Sequence, residues 1–180
     1  MAAARSRSRY LDELLSLYDA EARAVRLLLR LYDAARTPVL REALARQCEE
    51  SRLHLERLQL IFTRWGVPPP ALAGNGLAGP VQEADDRLHE AETPGARDAA
   101  VAAMAQRLMQ EQAARYGRAR AYARRLDHPD EARLLQETID EDSRADSRLS
   151  EIVASAWVSG LELSGPRTLG APPPSGSKLR

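Results

Sequence analysis

Four long stretches of the chain repeat apolar residues at steps of three and four positions, which is the spacing of one face of an α-helix. These stretches are predicted to form helices over Ser8–Arg36, Pro38–Trp65, Ala96–Leu126 and Pro129–Gly160. Thr37-Pro38, Thr93-Pro94 and Pro129 mark helix starts, because Thr caps a helix N-terminus and Pro suits the first helical position. No alternating β-branched run indicates a strand. The pattern therefore predicts an all-α protein.

The lengths of the connections predict how the helices are wired. Short breaks follow the first and third helices, so each pairs with the next as an antiparallel hairpin. The second and third helices are separated by a Pro/Gly-rich stretch, Gly66–Gly79, and a predicted short helix, Pro80–Ala91. Two hairpins joined by one long crossover are typical of a ferritin-like four-helix bundle, which we expect over residues 1–160. Residues 161–180 are rich in Gly, Pro and Ser without periodicity, which predicts a disordered tail.

Charge and cysteine content exclude several classes of protein. Basic and acidic residues are equal, at 26 each, so no nucleic-acid or membrane-surface patch is indicated. No apolar run approaches the ~20 residues of a membrane span, and acids at Asp12 and Glu13 interrupt any secretory signal. Cys48, the single cysteine, lies on the apolar side of its helix and is predicted to be a buried, inert thiol. We expect a cytoplasmic protein without a nucleic-acid or membrane partner.

Some apolar residues fall outside the predicted inward stripe. In the first helix that stripe contains Leu11, Leu14, Leu15, Tyr18, Ala22, Val25, Leu29 and Tyr32. Leu17, Leu27 and Leu31 lie off it, which suggests that a second face is covered. Leu27 and Leu31, with Leu53 and Leu60 of the second helix, are predicted to form a homodimer surface.

Each helix places a polar residue near its apolar face at mid-length. The inward set is Glu21, Glu50, His54, Gln112, Asp142 and Asp146. A carboxylate facing a core is costly unless it is paired, hydrogen-bonded or bound to a metal. Carboxylates and imidazoles on four facing helices are the ligands of di-iron and di-manganese bundles. We therefore predict iron or manganese binding by this set, with a metal-free protein as the alternative.

Each of these residues also has a purely structural interpretation. A single inward glutamate such as Glu21 is often salt-bridged, and a single histidine such as His54 is often hydrogen-bonded in a core. Asp142 and Asp146 repel each other unless one is protonated or paired with arginine, for which Arg57 and Arg115 are candidates.

The chain resembles the YciE/YciF family of bacterial ferritin-like stress proteins. The resemblance covers about Leu11 to Ile152 and rests on the order of many short matches. They include Leu17-Tyr18-Asp19-Ala20-Glu21, Glu50-Ser51, Glu56-Arg57-Leu58, Ile61-Phe62, Trp65-Gly66-Val67-Pro68, Gly76-Leu77, Ala105-Gln106-Arg107, Tyr116-Gly117, Leu134-Leu135, Asp140-Glu141-Asp142, Asp146 and Leu149. The family implies the ferritin-like bundle, dimerisation and a link to stress, and its members are often described as candidate metal binders without an assigned reaction.

The departures from that family matter for function. Where the family has a Glu-His-Tyr-Glu run, this chain has Met109-Gln110-Glu111-Gln112, so the third helix lacks both carboxylates. A neutral Gln112 donates only a carbonyl oxygen. We therefore predict a non-catalytic or weakly metal-binding, stress-associated dimer. The alternatives are a dinuclear protein acting on oxygen or peroxide, and a cargo protein recruited to an encapsulin-type shell through a protein partner of the C-terminal tail.

Overall fold

Four long helices make up the part of the chain that the structure describes. The computed structural model describes residues 2–69, 86, 88, 89, 91 and 93–163, with side chains from residue 5 to residue 156 of that set. The helices are α1 (Ala2–Ala34), α2 (Pro38–Arg64), α3 (Pro94–Arg125) and α4 (Pro129–Leu163). The all-α prediction is confirmed. None of these four helices has a stretch sufficiently long and apolar to cross a lipid bilayer.

Local chemistry explains where the helices begin and end. Thr93 accepts a hydrogen bond on its hydroxyl from the backbone N–H of Ala96, a conventional N-cap. Thr37 is the N-cap of α2 by position, but its side chain makes no capping bond. Instead, Asp98 of α3 accepts from the backbone N–H groups of Arg36 and Thr37, at 2.7 and 2.9 Å. One carboxylate therefore ties the α1–α2 turn to the start of α3.

The predicted bounds need small corrections. α1 begins at Ala2 rather than Ser8, and α4 continues through Gly160 to Leu163. The predicted crossover helix, Pro80–Ala91, falls mostly outside the described residues, although positions 86, 88 and 89 are helical. The predicted tail lies outside them from residue 164 onward.

Contacts at the two ends of the bundle establish the chain path. At one end, Tyr10 of α1 and Trp65 after α2 both donate to Glu131 in the first turn of α4. At the other end, Asp98 near the start of α3 reaches the α1–α2 turn. The end of α2 and the start of α3 therefore lie at opposite ends of the bundle, about 40 Å apart for a helix of this size. α1 packs on α2 and α3, and α4 packs on the same two helices, so α1 and α4 are diagonal.

The core consists of two apolar clusters. The cluster at the α1–α2 turn is mainly aliphatic, with Leu28, Leu31, Leu44, Met109 and Leu149 among its members. The other cluster is aromatic, and it contains Tyr10, Tyr18, Phe62 and Tyr116. The buried polar residues Glu21, Gln47, Ser51, His54, Gln112, Thr138 and Asp142 lie near the middle of their helices, between these clusters.

The inward face of α1 differs from its predicted stripe. Leu15 and Leu29, predicted to be inward, are 36% and 42% exposed, whereas Leu17 and Leu31 are buried. α1 contacts two neighbours, so its buried face is wider than one stripe and centred elsewhere. The prediction that a second face of α1 is covered is confirmed. Leu31 is wrong as a dimer-surface residue because it is buried, and Leu27 is half-buried against the aliphatic cluster. Leu53 and Leu60 are 49% and 45% exposed, so the dimer stays a prediction based on them.

A buried polar layer as the candidate functional site

The four helices each contribute one predicted residue to a buried polar layer. Glu21 of α1, His54 of α2, Gln112 of α3 and Asp142 of α4 are all at most 3% exposed. They reach the same level because the antiparallel packing aligns the mid-points of the helices. The structure thus buries all four residues in the core, and their role as metal ligands stays a prediction.

Glu21 is the acceptor at the centre of one half of the layer. Its Oε2 accepts from Gln112 Nε2 at 2.9 Å and from the Tyr116 hydroxyl at 3.1 Å. Its Oε1 lies 3.2 Å from His54 Nδ1. Three partners from two neighbouring helices therefore share the charge of this buried carboxylate. Burial, followed by the charge of Glu21, raises the pKa of Tyr116 well above its ordinary value, which keeps the phenol a donor.

His54 lies between two carboxylates. Its Nδ1 faces Glu21, and its Nε2 lies 3.0 Å from Glu141 Oε2. An imidazolium ring donates from both nitrogens, which suits a ring placed between two carboxylate acceptors. Burial lowers the pKa of His54, but hydrogen bonds to Glu141 and Glu21 outweigh it and raise that pKa to about 9.

The histidine is linked to the protein surface through the ion pair between Glu141 and Arg57. Arg57 of α2 binds Glu141 with both terminal guanidinium nitrogens, Nη1 and Nη2. Its Nη1 also donates to the Thr138 hydroxyl at 3.1 Å. Both charged side chains are 23% exposed. The hydrogen bond from Arg57 lowers the pKa of Glu141 to about 2. Arg57 was predicted as a partner of Asp142 or Asp146, and its partner is instead the adjacent Glu141.

The other half of the layer, at Asp142, is incompletely bonded. Gln47 of α2 donates to Asp142 Oδ1 at 3.3 Å. Asp142 Oδ2 and Gln47 Oε1 are buried and have no hydrogen-bond partner among the described residues. Burial, against the opposing charge of His54, raises the pKa of Asp142 to about 8. A proton or a cation at Asp142 Oδ2 would offset the cost of burying that oxygen.

Glu50 and Asp146 lie apart from the layer. Glu50 is a salt-bridge partner of Arg148, at 2.9 Å, and of Arg46, at 3.0 Å. Asp146 accepts from Gln110 Nε2 at 3.2 Å. The i, i+4 pairs Glu50/His54 and Asp142/Asp146 are therefore divided between the core and the edge. Arg115, the second predicted arginine partner, makes no salt bridge with any residue that the structure describes.

The donors in the layer do not fit a dinuclear metal centre. In such bundles two helices each give a Glu, and the other two each give a Glu-x-x-His pair. The position three residues before His54 is Ser51, the position three residues after Asp142 is Ala145, and the α3 donor is Gln112; all three are buried. Half of the six donor positions therefore lack a carboxylate or an imidazole. Within the described residues, no three His, Cys, Asp or Glu side chains are grouped to hold a metal.

Sequence reasoning missed three members of the layer. Gln47 was not considered, although it lies seven residues before His54 and so shares its face. Glu141 was passed over because it lies one position from Asp142, outside the inward stripe. Tyr116 was assigned to the core, but its hydroxyl as a donor to Glu21 had no sequence signal.

Known proteins with similar sequences and structures agree with this architecture. Protein YciF of Escherichia coli (strain K12) is 27% identical over 144 residues, covering 79% of this chain and 87% of that protein. The crystal structure of the E. coli stress protein YciF has a TM-score of 0.76 and 25% identity over 85% of this chain and 97% of that one. YcfI of Rhodopseudomonas palustris has a TM-score of 0.74 and 29% identity, over 81% and 92% of the two chains.

The remaining comparison concerns the family. The model of a domain of unknown function, DUF892, matches residues 5–161. This match spans all four helices and most of their length, and with the YciF relatives it confirms the resemblance inferred from the sequence. The chain therefore belongs to the DUF892 family, which includes YciF-like proteins.

Proposed function

We propose that this chain is a stress-associated, non-catalytic ferritin-like protein. Its central polar layer is held by hydrogen bonds and by the positively charged side chains of His54 and Arg57, rather than by a dinuclear metal centre. The association with stress comes from its similarity to the E. coli stress protein YciF. A cytoplasmic location and the absence of a reaction are parts of the same proposal.

The observation that carries this proposal is the bonding of His54. Both of its ring nitrogens are used by carboxylates, at 3.2 and 3.0 Å. A metal ligand needs a free ring lone pair, so a metal would have to displace one of these bonds and a proton. Glu21, the other strong candidate for a metal ligand, already accepts three hydrogen bonds. A dinuclear centre would also need carboxylate or imidazole ligands at three positions that are occupied by Ser51, Gln112 and Ala145, which again favours a layer without such a centre.

A second candidate is a weak site for a single cation at Asp142. The two unpartnered oxygens, Asp142 Oδ2 and Gln47 Oε1, favour it. They provide one carboxylate and one amide oxygen, which is a small ligand set for iron or manganese. We expect such binding to be weak and substoichiometric, and we propose no reaction on oxygen or peroxide.

One experiment separates the two candidates. The protein is purified without chelator, its metal content is measured, and its thermal midpoint is compared with chelator and with added Mn²⁺ or Fe²⁺. A ligand that binds only the native state raises the midpoint, so the metal-independent layer predicts no change and no stoichiometric metal. A rise with added metal that is lost in Asp142→Asn would identify the single-cation site. Stoichiometric metal that also depends on Glu21 and His54 would contradict the main proposal.

The exposed residues Leu53 and Leu60 support a proposed dimer through the outer face of α2. Sedimentation should show a dimer for the natural chain and a monomer for Leu53→Glu with Leu60→Glu. A monomeric natural chain at micromolar concentration would exclude this interface.

A further inference from the structure

The α1–α2 end of the bundle contains an apolar cleft. Its volume is about 1130 Å³, and it is formed by the first turns of α2 and α3 and by residues 148–156 of α4. Val39, Ala43, Ala99, Ala102, Ile152 and Val153 provide its apolar surface. Val39 is 55% exposed, the largest exposure among the described large apolar residues. An apolar cleft of this size favours an occupant that covers it.

The charges around the cleft are unequally compensated. Arg46 and Arg148 line it, but both are bound to Glu50. Asp98 also lines it, and its carboxylate accepts from two backbone N–H groups. The remaining lining carboxylates, Glu42 and Glu151, have no hydrogen bond or salt bridge with any described side chain. The cleft therefore offers an apolar surface with two uncompensated negative charges.

The chain continues past this cleft with a segment of matching chemistry. α4 forms one wall and ends at Leu163, about 10 Å beyond Ala156. Residues 164–180 include Arg167, Lys178 and Arg180 and no aspartate or glutamate, and they also include Leu169 and Leu179. Seventeen residues reach about 56 Å when extended, which is far more than the return distance. Length and charge both suit this segment to the cleft.

We propose that residues 164–180 bind in the apolar cleft of their own chain, with a leucine against Val39 and Ile152 and with Lys178 beside Glu42 or Glu151. Covalent attachment gives the segment an effective concentration in the millimolar range, so modest contacts suffice to hold it there. The segment covers the exposed Val39 and compensates the charges that the described residues leave unpaired.

The only lysine in the sequence, Lys178, allows a direct test. A carbodiimide joins a lysine amine to a carboxylate with which it is in contact. In the full chain we expect intramolecular links from Lys178 to Glu42 or Glu151, identified by mass spectrometry of the monomer. The absence of both links overturns the proposal. A link that joins two chains also overturns it, because the occupant is then a second copy.

Matched variants test the contribution of the apolar surface. Val39→Asn should reduce the yield of these links several-fold, because it places an uncharged polar group in the apolar cleft. Leu29→Asn changes an apolar residue of α1 that is also exposed but lies outside the cleft, and it should leave the yield unchanged. Equal yields in the two variants would contradict binding in the cleft.

Discussion

The two halves of the buried polar layer differ in how completely their polar atoms are hydrogen-bonded. In the half centred on Glu21 and His54, both carboxylate oxygens and both ring nitrogens have partners from α1, α2, α3 and α4. In the half centred on Asp142, a single bond of 3.3 Å from Gln47 leaves one oxygen on each side chain unpartnered. The first half is fixed by complementary charge, whereas the second depends on a proton or a cation.

This difference in bonding predicts what each half contributes to stability and to the response to protons and cations. A buried charge held by several partners makes removal of any one partner costly. A carboxyl group whose burial raises its pKa to about 8 is neutral over much of the physiological range and can be replaced by a neutral group of similar shape. The Glu21–His54 half should therefore dominate stability, and the Asp142 half should dominate the response to protons and added cations.

The largest effect is expected for His54→Leu. This change removes the cation shared by the buried Glu21 and the partly exposed Glu141, at a cost of about 3–5 kcal/mol in the free energy of unfolding. Urea unfolding measures it. Glu50→Gln, on the same helix but at the partly exposed edge, is the control and should cost about 1 kcal/mol or less. Equal losses in the two variants would remove the distinction between layer and edge.

A smaller loss is expected for Gln112→Leu. Its amide donates to the charged Glu21 Oε2 at 2.9 Å, and a hydrogen bond to a charged group contributes about 1.5–3 kcal/mol. Tyr116 remains as a donor to the same oxygen, so the effect should lie near the lower end. Chemical denaturation gives the value, and a gain in stability would show that Gln112 is not a needed donor.

Stability should fall as the pH rises from 6 to 9. The pKa of folded His54 is raised from 6.5 to about 9, and that of Asp142 from 3.8 to about 8. In this window the folded state binds more protons than the unfolded state, so the free energy of unfolding decreases as the pH rises. Denaturation in the presence of chelator, at pH 6 and pH 9, tests this. Asp142→Asn should weaken the dependence, and a rise in stability with pH would refute the assignment.

The smallest effect is expected for Gln47→Leu. It removes one long hydrogen bond and one unpartnered oxygen together, so the change should stay within about 1 kcal/mol. Thermal unfolding at pH 6 measures it. A loss as large as that of His54→Leu would mean that the Asp142 half is as tightly bonded as the Glu21 half.

Much of the fold was predictable because it depends on local rules. Periodic apolar residues and Thr-Pro starts predicted the four helices, and connection lengths predicted their antiparallel pairing. The errors came from packing: α1 meets two neighbours, so Leu15 and Leu29 are exposed while Leu17 and Leu31 are buried. A helical wheel assumes one contact direction and cannot represent this.

For the polar layer, the sequence by itself determined that Glu21, His54, Gln112 and Asp142 face the core, because helical periodicity determines the side of its helix on which each residue lies. It also determined that the third helix lacks a carboxylate at this level. Only the tertiary structure decided the partners, since they depend on the relative height and rotation of four helices. That geometry makes Ser51 and Ala145 the in-register neighbours, pairs His54 with Glu21 and Glu141, and leaves Asp142 with Gln47 alone.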